Sequence, residues 1–139
     1  MTTTYSKTPL ARKLGIHEGF SIYLHNAPDD YFDLFDDLPE ELDEVDELGG
    51  QALDFIHAFF ESKKELKAHS PALKASIKES GLIWVSWPKG DTSSSDLKRD
   101  FIREYMLSIG LVDVKVASVN EQWSGLKFIY RLEDRQPPL

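Results

Sequence analysis

The run Leu82-Ile83-Trp84-Val85-Ser86-Trp87 constrains the fold more than any other stretch of the chain. Apart from Ser86 it is apolar throughout, so no alternation separates a wet face from a dry one. A strand of this kind is buried on both sides, as in parallel sheets sandwiched between helices. It stops at Pro88, which cannot donate to a sheet ladder, and Lys89-Gly90 open the loop beyond. In open α/β sheets ligands bind at the carboxyl ends of the strands. The run therefore implies an architecture and an edge on which to look for function.

The rest of the chain reads as strands and helices in alternation. Thr8 as cap, Pro9 in the first turn and Gly15 as terminator bracket a short amino-terminal helix. Phe20–His25 alternates with period two, placing Phe20, Ile22 and Leu24 on one face. After the break Asn26-Ala27-Pro28, the spacing of Tyr31, Leu34, Phe35 and Leu38 predicts a helix capped by Asp29. Residues 40–50 fit either a short strand or one helical turn. A second strand is expected over Leu53–Phe59, and Ser62 with Glu65 forms a capping box for the helix that follows. Ser70-Pro71 reads as an interruption, with a restarted helix running to Gly81. Ser95 is the expected cap of a helix carrying Leu97, Phe101, Ile102, Tyr105 and Ile109, closed by Gly110.

Two further strands are expected, Leu111–Val119, with Val112, Val114 and Val116 on one side, and Trp123–Leu132. Only Asn120-Glu121-Gln122 separate them. A parallel crossover needs a dozen or more residues, so this pair is an antiparallel hairpin. The expected fold is a three-layer α/β, Rossmann-like domain over residues 1–139, with a mostly parallel sheet, a carboxyl-terminal hairpin and loose tails at 1–7 and 133–139.

Charge narrows the partners. The net charge is −8, and residues 1–62 hold 3 Lys/Arg against 14 Asp/Glu. Between Lys13 and Lys63 there is no Lys or Arg. Such a block repels phosphate backbones, so nucleic acid is not an expected partner. It is a solvated surface or, alternatively, a docking face for a basic protein. There is no cysteine, no signal-peptide pattern at the start and no apolar run of membrane-spanning length, which makes a cytoplasmic protein without membrane attachment the expectation.

Four segments carry a resemblance: Thr8–Ile16, Asn26-Ala27-Pro28, Trp84–Lys89, and Gly110–Lys115 with Trp123-Ser124-Gly125-Leu126-Lys127-Phe128. On these the chain resembles a bacterial domain-of-unknown-function family of small Rossmann-like proteins, distantly like the class I methyltransferase core. The resemblance implies the fold and brings no catalytic residues with it. In the methyltransferase fold a glycine-rich turn follows the first strand and an acid follows the second. Here the first turn, His25-Asn26-Ala27-Pro28-Asp29-Asp30, has no glycine, and Pro28 removes an amide donor.

If the sheet is parallel, Asn26, Glu61-Ser62, Trp87-Pro88-Lys89 and Asn120–Ser124 converge on one edge. There Trp87 and Trp123 would supply flat apolar walls, Lys89 a charge, and Asn26 and Ser124 hydrogen-bonding groups. Each has a plain structural use as well: the tryptophans as core caps, Lys89 as an exposed loop residue, Asn26 as a turn former. Amides before Asp96, beside Ser93–Ser95, are a second candidate, for a small anion. His25 and His57, near the ends of adjacent strands, offer a metal pair if an acid such as Asp29, Asp30 or Glu61 joins them. The alternative is a buried histidine bonded to backbone, and no metal or cofactor is assigned. The leading expectation is a non-catalytic binding or regulatory domain holding a small or anionic ligand, or a partner segment, in the edge crevice. The alternatives are a small methyltransferase-like enzyme with an atypical cofactor turn, and an acidic protein-interaction module.

Overall fold

The computed structural model describes residues 9–49, 52–90 and 95–131. The expected cap Thr8 and the expected loose tails lie outside them. Helix α1 spans Leu10–Leu14, and strands β1 and β2 span Ser21–His25 and Asp43–Val45. Strand β3 (Leu53–Phe59), helix α2 (Lys63–Ser76), strand β4 (Ile77–Pro88) and helix α3 (Arg99–Ser108) follow. The hairpin β5 (Leu111–Ser118) and β6 (Trp123–Tyr130) closes the chain. The sheet order is β2-β1-β3-β4-β6-β5, parallel from β2 to β4 and antiparallel from β4 to β5. This is the expected mixed Rossmann-like sheet with its carboxyl-terminal hairpin.

Each face of the sheet builds its own core. Ile56, Ala58, Ile83, Val85, Leu126 and Phe128 pack under Leu66 and Leu73 of α2 and Ile102 and Met106 of α3. On the opposite face Ile22, Phe55, Phe59 and Trp84 pack against Ala11 and Leu14 of α1 and against Tyr31 and Phe35. The central strands β3 and β4 thus bury both sides, which is why Leu82–Trp87 shows no polar alternation. Trp84 is fully buried, and its indole Nε1 donates to the carbonyl of Leu14 at 2.7 Å, fastening α1 to the sheet.

Several expectations change in detail. No helix follows Asp29; the chain makes a single 3₁₀ turn, Tyr31–Leu34, and Phe35 is already extended. The apolar residues there face the core as expected, but Asp37 has another use. Its two carboxylate oxygens accept the amides of Ala11 and Arg12 at 2.9 and 3.0 Å, capping α1 from a distance. Residues 43–45 resolve as β2, the outer parallel neighbour of β1.

Helix α2 opens as predicted, with Ser62 Oγ accepting the Glu65 amide at 3.1 Å, but it runs through Pro71 without a restart. The carbonyl of Lys67, four residues earlier, loses its usual donor there. The Tyr105 hydroxyl takes its place through a long hydrogen bond of 3.4 Å. The helix ends at Ser76, so Ile77–Gly81 belong to β4 rather than to a helix. The cap position of α3 is Lys98; Ser95 lies upstream, where its hydroxyl donates to the Glu61 carbonyl at 2.6 Å and accepts the Leu97 amide. A register shift between Asp113 and Lys115 corrects the β5 valine stripe. Val112 pairs with Ile129 and Val116 with Leu126, on opposite faces.

Candidate functional site

The strand order reverses direction between β1 and β3. From β1 the chain moves outward to β2, then returns to lay β3 on the other side of β1. Such a switch point opens a crevice outside the carboxyl ends of the two strands. Three short segments meet there: Asn26-Ala27-Pro28 after β1, Asp46-Glu47 after β2, and Phe60-Glu61 after β3.

The first turn achieves without glycine what glycine usually supplies. Asn26 has φ 56°, the one non-glycine residue in the left-handed region among those described, and asparagine tolerates that conformation better than most side chains. The turn closes on itself through the Tyr31 amide, which donates to the Pro28 carbonyl at 3.0 Å. The acids of the second segment are exposed. Glu47 acts on Tyr23 of β1, whose phenol is raised above its ordinary value by burial first and by the Glu47 charge second.

Beside this turn sits an aromatic cluster on the α2 face. His25 Nδ1 shares a hydrogen bond with the Tyr23 hydroxyl at 3.1 Å, and its ring lies 5.3 Å from Phe60 and 4.6 Å from His69. His25 Nε2 is buried and has no hydrogen-bond partner among the described residues. Burial, followed by the neighbouring His69, lowers the His25 pKa; Glu65 opposes them.

His25 and His57 do not approach each other. They lie on adjacent strands at positions one residue out of register, Leu24 pairing with His57 and His25 with Ala58, so their rings leave opposite faces. His57 is wholly buried between two hydroxyls rather than bonded to backbone: Tyr31 at 2.8 Å on Nδ1 and Ser86 at 2.7 Å on Nε2. Among the described residues no three acid or histidine side chains are grouped as a metal ion requires.

Of the residues expected to line a crevice, all five lie at the same sheet edge, but they do not surround one space. Trp87 is 8% exposed and belongs to the α2/α3 core. Trp123 packs on the other face, edge-on to Phe59 at 5.0 Å. Lys89 is drawn to the hairpin, its Nζ 2.6 Å from Ser118 Oγ and its amide bonded to the Gln122 carbonyl. Ser124 stands across the ladders from Trp87 and Ser118. Asn26 alone of the five is at the switch point. For the candidate anion site, Ser93 and Ser94 lie outside the described residues. Asp96 is turned to α2, its Oδ1 accepting the Lys63 amide at 2.9 Å.

Sequence reasoning missed the acids after β2, because residues 40–50 could not be placed. It also missed a groove of about 380 Å³ between α3 and the outer strand β5, lined by Arg99, Arg103, Val114 and Val116. The β5 bulge that shapes this groove leaves no signal in the alternation. Among the described residues no helix is long and apolar enough to cross a membrane.

No protein-family model and no curated protein matches the chain. Solved structures do. A TehB-like SAM-dependent methyltransferase from Corynebacterium glutamicum superposes with TM-score 0.60 at 11% identity, over 86% of this chain and 85% of that one. Precorrin-6y C5,15-methyltransferase from Geobacter metallireducens gives 0.60 at 11% identity, over 88% and 86%. DhpI in complex with SAH gives 0.61 at 8% identity, over 88% and 82%. Identities this low speak for the fold alone. In fold, then, this chain is a small Rossmann-like domain of the class I methyltransferase type.

Proposed function

We propose that the chain is a small methyltransferase-like protein that holds S-adenosylmethionine, or its homocysteine product, at the switch point between β1 and β3. The observation that carries this reading is the left-handed Asn26, which gives the glycine-free first turn the tight bend that the fold's ligand turn requires. Two features support it. Asp46 and Glu47 follow β2, about 20 residues beyond the turn, where this class of fold places a ribose-binding acid. The exposed acids of the turn, Asp29 and Asp30, repel a phosphate but suit a cationic sulfonium or ammonium group. The fold likeness to methyltransferases extends over most of both chains and favours this reading over the non-catalytic one.

The second reading, a domain that binds such a ligand without transferring a methyl group, is favoured by one observation. The β1 turn leads into a 3₁₀ turn of four residues, so no helix amino terminus faces the ligand there. Calorimetry with S-adenosylmethionine and S-adenosylhomocysteine tests both. Binding of either is expected, and should weaken about tenfold or more in Asp46→Asn/Glu47→Gln, the scale of a lost charged hydrogen bond. No binding at millimolar ligand refutes both readings. Binding with release of S-adenosylhomocysteine on adding candidate acceptors favours the enzyme; binding without release favours the second.

A further inference from the structure

The buried chain Tyr31–His57–Ser86 links three parts of the molecule that sequence keeps apart. Tyr31 opens the 3₁₀ turn just beyond Asn26–Asp30, His57 sits mid-strand in β3, and Ser86 lies in β4. All three are almost or wholly inaccessible to solvent, at 2%, 0% and 0% exposure. We propose that Tyr31 is a positioning residue, latching the ligand turn to the sheet through His57 and Ser86. This rests on the reading of that turn as the ligand seat.

The geometry is that of a latch with two holds. The Tyr31 amide fixes the turn to itself through the Pro28 carbonyl, and the Tyr31 hydroxyl fixes it to the core. The ring is clasped by Phe35 at 5.2 Å, Phe59 at 5.9 Å and His57 at 5.4 Å. Neutral imidazole has one donor and one acceptor nitrogen, so both of its bonds are satisfied only when the two hydroxyls take complementary roles. Burial lowers the His57 pKa to about 3, which keeps that neutral form in place. Loss of either hydroxyl leaves the nitrogen that it faced buried without a partner and frees the ring tautomer that the pair had fixed. A change at Ser86, two strands away from the turn, therefore reaches Tyr31 through the histidine.

Amide hydrogen exchange of the ligand-free protein provides the test. In Tyr31→Phe the amides of residue 31, Asp33 and Phe35, which donate to the carbonyls of Pro28, Asp30 and Phe32, are expected to exchange about tenfold faster, the factor attached to one buried hydrogen bond. Val85 and Leu126 in the central ladder should hold their rates. Ser86→Ala should accelerate the same turn amides, which a purely local packing role of Tyr31 does not predict. Unchanged turn exchange in a folded Tyr31→Phe, or in Ser86→Ala, overturns the latch. Should either variant not fold, the wild-type protein serves: saturating S-adenosylhomocysteine should shift the His57 ring nitrogens in a nitrogen-15 spectrum, although that ring is buried. Binding without such a shift also overturns it. Absence of binding refutes the ligand reading instead, and leaves the exchange results to decide the latch.

Discussion

Acidification should destabilise this protein through His57, and the size of the effect follows from its burial. The ring is inaccessible, its neighbours are hydroxyls and aromatic rings, and desolvation holds its pKa near 3 against an ordinary 6.5. Because the folded value lies below the unfolded one, the unfolded chain takes up the proton first. Stability is whole above pH 6.5, falls as the pH drops below it, and stops falling near pH 3. Between pH 7 and pH 5 this one group removes about 2 kcal/mol, since nearly every unfolded molecule is protonated at the lower pH and almost no folded one is. With a urea dependence of ~2 kcal/mol per molar, the midpoint should move down by about 1 M. Other groups titrate over the same range, so the comparison that isolates His57 is with His57→Gln. Urea unfolding of both proteins at pH 7 and pH 5 should show the variant losing about 2 kcal/mol less than the parent. Equal losses would refute the assignment of His57 as a buried neutral ring, whatever the variant's stability at pH 7.

Three other substitutions test the packing. A Cβ on Gly125 would stand 3.0 Å from Trp84 Cε3 and 3.3 Å from Ser86 Oγ, in the middle of the sheet. Gly125→Ala should therefore cost ~1–3 kcal/mol in thermal unfolding, the usual price of overpacking. Ser62→Ala removes the acceptor of the Glu65 amide at the start of α2 and should cost ~1 kcal/mol by denaturant titration. Trp84→Phe deletes the donor to the buried Leu14 carbonyl, so α1 amides should exchange faster and stability fall by ~1–3 kcal/mol.

The legible parts of the sequence were those governed by local rules. Leu82–Trp87 announced a central strand because burial on both faces leaves no polar alternation. The three-residue Asn120–Gln122 connection left only a hairpin, and Asn120 builds it by accepting the amides of Gln122 and Trp123. The Ser62–Glu65 box marked a helix start to the residue. What escaped depended on distant partners. Pro71 reads as a break only until Tyr105 is seen supplying a donor to Lys67. Asp37 looks like one more acid on a helix until it is found capping α1. The β5 bulge reverses the valines after Asp113 with no local mark, and one position of register separates His25 from His57 on opposite faces.

For the candidate site, the convergence of the five residues on one sheet edge was readable. The facing of the two tryptophans was not, because Trp87 and Trp123 belong to cores on different sides of the sheet. The absence of glycine did not reveal the shape of the first turn, since Asn26 takes a left-handed φ there. The acids after β2 came next to the first turn only when β2 was placed beside β1.

A nitrogen-15 amide spectrum titrated with S-adenosylhomocysteine tests the ligand seat most directly. Saturable shifts are predicted at Asn26, Ala27, Asp46, Glu47 and Glu61, with Val114 and Lys115 at the far edge unmoved. An unchanged spectrum, or shifts confined to the groove between α3 and β5, would contradict the account.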